Sequence, residues 1–174
     1  MALNPLLMAL LLAETTMGLS NPQSAASQPT PSSVAIAVCQ ILVIDSDRSG
    51  NFARIERALA QTRDAGAEIA CFPESAILGW QNPDAHQLAE PTPGRDTQRL
   101  GELARHYGLM ICIGVDEKDG DKLYGGAVII DRDGRLLLKH RKIDVLAELM
   151  DPPYSRPGAS RTLRPSTRGS VGSA

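Results

Sequence analysis

The chain predicts an α/β fold built on a mixed sheet, and three observations carry that expectation. Short apolar runs of strand length alternate with segments of helical period, in the order strand–helix–strand, helix–strand. Two more strand runs then follow one another across a Gly-bearing turn, which adds antiparallel strands to an otherwise parallel set. The first runs are apolar at consecutive positions rather than at every second one, the pattern of strands covered on both faces.

Taken in order, residues 34–38 and 41–44 read together as one largely buried strand. Ser49, Gly50 and Asn51 offer caps for a helix whose apolar positions are Phe52, Ile55, Ala58 and Leu59 and which stops at Gly66. Residues 67–72 form a second short strand, ended by Pro73. A loop-rich stretch with Gly79, Pro83, Pro91, Pro93 and Gly94 leads into a second helix, with Leu100, Leu103, Ala104 and Tyr107 as its stripe. Arg105 and His106 suit the negative end of that helix, and Gly108 suits the left-handed cap after it. Residues 109–115 make a third strand; 123–130 and 135–140 make two more, joined by Asp131-Arg132-Asp133-Gly134 as a hairpin turn.

The flanks differ in character. Residues 1–27, with an apolar run at 6–13 and small polar residues up to Ala26, read as a signal peptide or a disordered leader. The first places the protein outside the cell or in a periplasm, the second in the cytoplasm. Residues 28–33 are a linker, 34–154 the folded domain, and 155–174 an irregular Ser-, Arg- and Gly-rich tail with the look of an out-of-frame read.

Composition narrows function by exclusion. A chain of 174 residues, 43% hydrophobic and 22% charged, can bury one ordinary core. A net charge of −2 supplies no basic field for nucleic acid or an anionic membrane. Cys39, Cys71 and Cys112 are odd in number and widely spaced, neither a disulfide framework nor a metal motif. The histidines His86, His106 and His140 are isolated, so no metal is expected.

Two segments carry candidate chemistry. In Cys71-Phe72-Pro73-Glu74 a carboxylate follows a strand end directly, where α/β sheets place their active sites, on backbone stiffened by proline. In Leu138-Lys139-His140-Arg141-Lys142 a lysine leaves a strand end and can face a developing oxyanion. Alone, each is more commonly solvated surface charge.

With Asn51, the Ala65-Gly66-Ala67 turn, the Phe-Pro-Glu loop, the hairpin and the Arg-Lys ending in this order, residues 34–154 resemble the N-terminal half of the nitrilase superfamily of carbon–nitrogen hydrolases. The resemblance implies an αββα sandwich, incomplete here, with a mixed sheet and helices on one face. It implies a Glu–Lys–Cys triad in which Glu74 is the general base and Lys142 stabilises the oxyanion. Glu148 is the nearest candidate for the second glutamate that follows the lysine in many members. The family's nucleophile lies in a Gly-x-x-x-Cys segment beyond the lysine, and residues 155–174 hold no cysteine. Cys39 and Cys112 lie inside apolar strands and Cys71 is expected in the core, so no nucleophile is assigned. A small nitrile, amide or N-carbamoyl substrate, no cofactor, and a homo-oligomer for full-length members follow from the resemblance. So does inactivity of this chain alone, which otherwise reads as a non-catalytic fragment. A rival reading takes Asp45-Ser46-Asp47 as the Mg²⁺-binding Asp-x-Asp of a dehalogenase-type phosphohydrolase.

Overall fold

The computed structural model describes residues 33–157; the expected leader at 1–27, the linker apart from its last residue and most of the tail at 155–174 lie outside them. The described chain forms a five-stranded sheet in sequential order. Strands β1 (Ile36–Val38), β2 (Ile69–Cys71) and β3 (Met110–Asp119) run parallel, linked by helices α1 (Arg48–Asp64) and α3 (Arg95–Tyr107), with the one-turn α2 (Ala85–Leu88) before α3. Strands β4 (Lys122–Ile130) and β5 (Leu136–Arg141) add antiparallel. The mixed α/β sheet is as the sequence predicts.

The two long helices pack on one face. Ile55 and Leu59 of α1 and Leu100, Leu103 and Ala104 of α3 are buried against Ala70, Ile111, Ile113, Val128 and Ile130. The strands' two-residue period puts those sheet residues on the same side, and Ile111↔Ile130 and Ile113↔Val128 are paired in register. The turns are built as their residues allow. Gly108 ends α3 at φ 66°, and the β4–β5 turn is held by the Asp131 carboxylate accepting from the amides of Asp133 and Arg135.

Three local expectations are corrected. The first strand is only three residues long; Cys39 N still donates to Cys71 O (2.8 Å), but 41–44 have left the sheet. Nor is it buried. Ile36 is 57% and Val38 78% exposed, because the helices cover one face and nothing among the described residues covers the other. Finally, α1 is capped by Asp47, whose carboxylate accepts from Gly50 N, rather than by Ser49, Gly50 or Asn51. A carboxylate satisfies the open amide and also meets the positive helix end. The Gly50 amide, followed by Arg54, holds its pKa below the usual range. That capping role accounts for Asp47, the second carboxylate of the Asp-x-Asp stretch.

Candidate active site

Glu74 is placed by the continuation of β2 past its last residue. Phe72 N donates to Cys112 O (2.8 Å), Gly114 N donates to Pro73 O (3.1 Å), and Ala76 N donates to Gly114 O (3.1 Å). The backbone thus crosses β3 at Gly114, where the missing side chain permits contact: a Cβ there would lie 2.4 Å from Glu74 Cα. Ser75, at φ 46°, turns the chain back. Asn51 pins the far end of the loop, its fully buried amide donating to Ile44 O (2.7 Å) and Ile77 O (2.9 Å).

Lys142 is placed by strand alternation. In the Lys139-His140-Arg141-Lys142 run, successive side chains point to opposite faces. Lys139 and Arg141 turn to the helix-bearing face and close on buried Glu117, with Lys139 Nζ at 2.7 Å and Arg141 Nε and Nη2 at 2.8 and 2.7 Å. Burial alone would raise the Glu117 pKa, but the bonds from Arg141 and Lys139 outweigh it and hold it low. Half of what reads as a solvated basic cluster therefore neutralises one core carboxylate. Lys142 emerges on the other face, anchored by its amide to Gly125 O (2.8 Å), and its ammonium donates to Glu74 Oε1 at 2.9 Å across 68 residues of sequence. The pair sits at an open pocket of about 380 Å³ whose walls include Phe72, Cys112, Ala127, His140 and Ile143.

Residues 35–171 match the model of the carbon-nitrogen hydrolase family. The chain belongs to that family. Among curated relatives, a bifunctional nitrilase/nitrile hydratase NIT4B of Lupinus angustifolius is 33% identical over 137 residues, 68% of this chain and 39% of the relative. The omega-amidase NIT2 of Xenopus tropicalis is 33% identical over 125 residues, 71% of this chain and 45% of the relative. The chain thus spans less than half the length of these relatives. In structure it resembles a mutant of the Nesterenkonia AN1 amidase from the nitrilase superfamily, with a TM-score of 0.65 at 20% identity, over 75% of this chain and 50% of that one.

Within this carbon-nitrogen hydrolase chain the other expected residues fare unevenly. Glu148 is exposed on a short 3-10 turn, and among the described residues no hydrogen bond or ion pair joins it to Glu74 or Lys142. The three cysteines are free and half-buried rather than in the core. Cys71 and Cys112 are register partners on the open sheet face, which explains their partial exposure. Burial, and then the neighbouring Cys112, push the Cys71 thiol pKa up. Cys39 turns toward α1, with its Sγ 3.4 Å from Thr62 Oγ1.

Sequence reasoning passed over Asp116, which lies under the Glu74 turn and is 5% exposed. Burial raises its pKa from 3.8 to about 6, against the hydrogen bonds of Tyr154 and Ser75 and with help from the charges of Glu74 and Asp96. A raised folded-state pKa contributes stability that is complete below the unfolded value and is lost as pH rises through the folded one. A shift of roughly two units corresponds to about 3 kcal/mol. Wild-type stability should therefore fall relative to Asp116→Asn between about pH 4 and pH 7, as the buried carboxyl ionises. Urea unfolding of both proteins across that range checks this. Parallel pH profiles would contradict it.

Proposed function

We propose that this chain carries the general base and the oxyanion-binding cation of a hydrolase acting on the carbon–nitrogen bond of a small nitrile, amide or N-carbamoyl compound. The observation that carries the reading is the 2.9 Å contact of Lys142 Nζ with Glu74 Oε1 at the rim of an apolar pocket. Two exposed charges that far apart in sequence gain little stability from meeting in water. Their convergence is better explained by chemistry at a shared carbon.

The chemistry needs a thiol. A cysteine thiol is mostly protonated at neutral pH, so a fixed carboxylate must take its proton as sulfur bonds to the substrate carbon. For an amide, the tetrahedral intermediate collapses as the amine leaves with that proton, and a thioester remains. The same carboxylate then takes a proton from water, whose oxygen attacks the thioester and releases acid and thiol. Lys142 faces the oxygen that bears negative charge in both intermediates, a contribution whose loss typically lowers the rate by about 10²–10³. In a mutant of the Nesterenkonia amidase, the acetamide moiety of fluoroacetamide is covalently added at the active-site cysteine.

None of Cys39, Cys71 and Cys112 is that nucleophile in this reading. All three belong to the sheet or its margin, and burial pushes the thiol pKa of Cys71, beside the Glu74 turn, up. The 174-residue chain by itself should release no ammonia from a panel of nitriles, amides and N-carbamoyl compounds above a Glu74→Ala control. Release well above that control would show that the chain supplies its own nucleophile.

A further inference from the structure

The turn that presents Glu74 is held from behind by a buried carboxyl group. Ser75 occupies the left-handed region at φ 46°, where a residue with a side chain is uncommon and needs support. Its hydroxyl donates to Asp116 Oδ1 at 2.9 Å, and the Tyr154 hydroxyl donates to the same oxygen at 2.7 Å. The two hydroxyls are 3.5 Å apart. Asp116 Oδ2 is buried and has no hydrogen-bond partner among the described residues.

As a stabilising device this is poor. A buried carboxyl that offers one oxygen to two donors and leaves the other unfilled forfeits solvation it does not recover. What the arrangement does achieve is connection. Ser75 directly follows Glu74. Tyr154 lies on the segment after Lys142, and that segment is tied to β4 at both ends, by Lys142 N to Gly125 O (2.8 Å) and by Ser155 N to Leu123 O (2.7 Å). The Tyr154 ring lies over Gly125, the residue that anchors Lys142.

We infer that Asp116 is a positioning residue for the Glu74–Lys142 pair: through Ser75 and Tyr154 its single oxygen joins the turn carrying the carboxylate to the segment leaving the ammonium. The inference rests on reading Glu74 and Lys142 as the catalytic pair, yet its geometry can be tested without turnover. The groups facing Asp116 are the Ser75 and Tyr154 hydroxyls, with the charges of Glu74 and Asp96 acting on it from further away.

The test is hydrogen exchange of the Lys142 ammonium in the ¹⁵N-lysine-labelled 174-residue chain, its resonance assigned by loss in Lys142→Arg. Its bond to Glu74 protects the ammonium relative to an unbonded lysine. Ser75→Ala should speed its exchange about fivefold, the factor that losing one ordinary hydrogen bond removes from a closed state, and Asp116→Ala, which removes two, at least as much. Asp116→Asn, which keeps an oxygen acceptor for both hydroxyls, should restore the wild-type rate to within about twofold. The remaining amide spectrum should stay native, which separates positioning from general loosening. Unchanged exchange in Ser75→Ala would overturn the inference. That variant is small enough to fold even where Asp116→Ala is not, so the outcome does not depend on the harsher substitution. The exchange result reports the geometry alone and stands whichever way the catalytic reading of Glu74 and Lys142 is decided.

Discussion

Replacing Gly114 by alanine should destabilise the chain by about 3 kcal/mol, the upper end of what overpacking a filled site costs. The added methyl would meet Glu74 Cα at 2.4 Å and Pro73 O at 2.7 Å, both backbone atoms. They cannot withdraw without breaking the bonds of Gly114 N to Pro73 O and of Ala76 N to Gly114 O. Urea unfolding gives the loss directly, and faster exchange of the Lys142 ammonium would show that the Glu74 turn is what moves. A change below about 1 kcal/mol would mean that the turn does not press on β3 as described.

Glu117→Ala should cost about 3 kcal/mol, because it strips two half-buried cations of the buried carboxylate they share. Lys139 and Arg141 both lose their shared carboxylate; Lys139 keeps Thr92 O, and Arg141 keeps exposed Asp119 and the face of the Tyr124 ring. Glu74→Ala removes a carboxylate from an exposed pair and should change stability by no more than about 0.5 kcal/mol. The contrast separates two acidic residues with opposite duties, one holding the sheet and one free for chemistry. Equal losses in the two variants would contradict that division.

Much of this was legible in the residues. The alternation of strand and helix periods predicts the sheet's parallel half, and Asp131 to Gly134 predicts the β4–β5 hairpin, because the physics of both is local. The placement of Glu74 at a strand end and Lys142 after another was equally readable, and the structure brings the two together. What stayed hidden depends on tertiary context. The apolar run at 34–38 signals burial on both faces, whereas the described chain covers only one, so Val38 lies open. Asp47 and the nearer Ser49 are comparable caps on paper; Arg54, about two turns on, also bonds the Asp47 carboxylate. Asp116 looks like ordinary strand-end charge beside Glu117. Its burial depends on Tyr154 folding back across β4, a contact between residues 38 apart that no local period announces. The β3–β4 hairpin was missed because Asp119-Gly120-Asp121 sits between two long strands whose inner ends are polar, which reads as loop.

Whether Glu74 activates any thiol of this chain is decided by alkylation. The folded protein is treated with iodoacetamide in native buffer, and the peptides carrying residues 39, 71 and 112 are followed by mass spectrometry over time, in wild type and in Glu74→Gln. The thiolate is the reacting species, so a thiol whose proton Glu74 removes must label fast and must slow when Glu74 loses its charge. Cys71, with its pKa raised by burial and by Cys112, should label slowly. All three cysteines should react at the same rates in both proteins, as expected when the nucleophile for Glu74 and Lys142 is none of them. Fast labelling of Cys112 or Cys71 that disappears in Glu74→Gln would show a carboxylate-activated thiol at the pocket, and would contradict it.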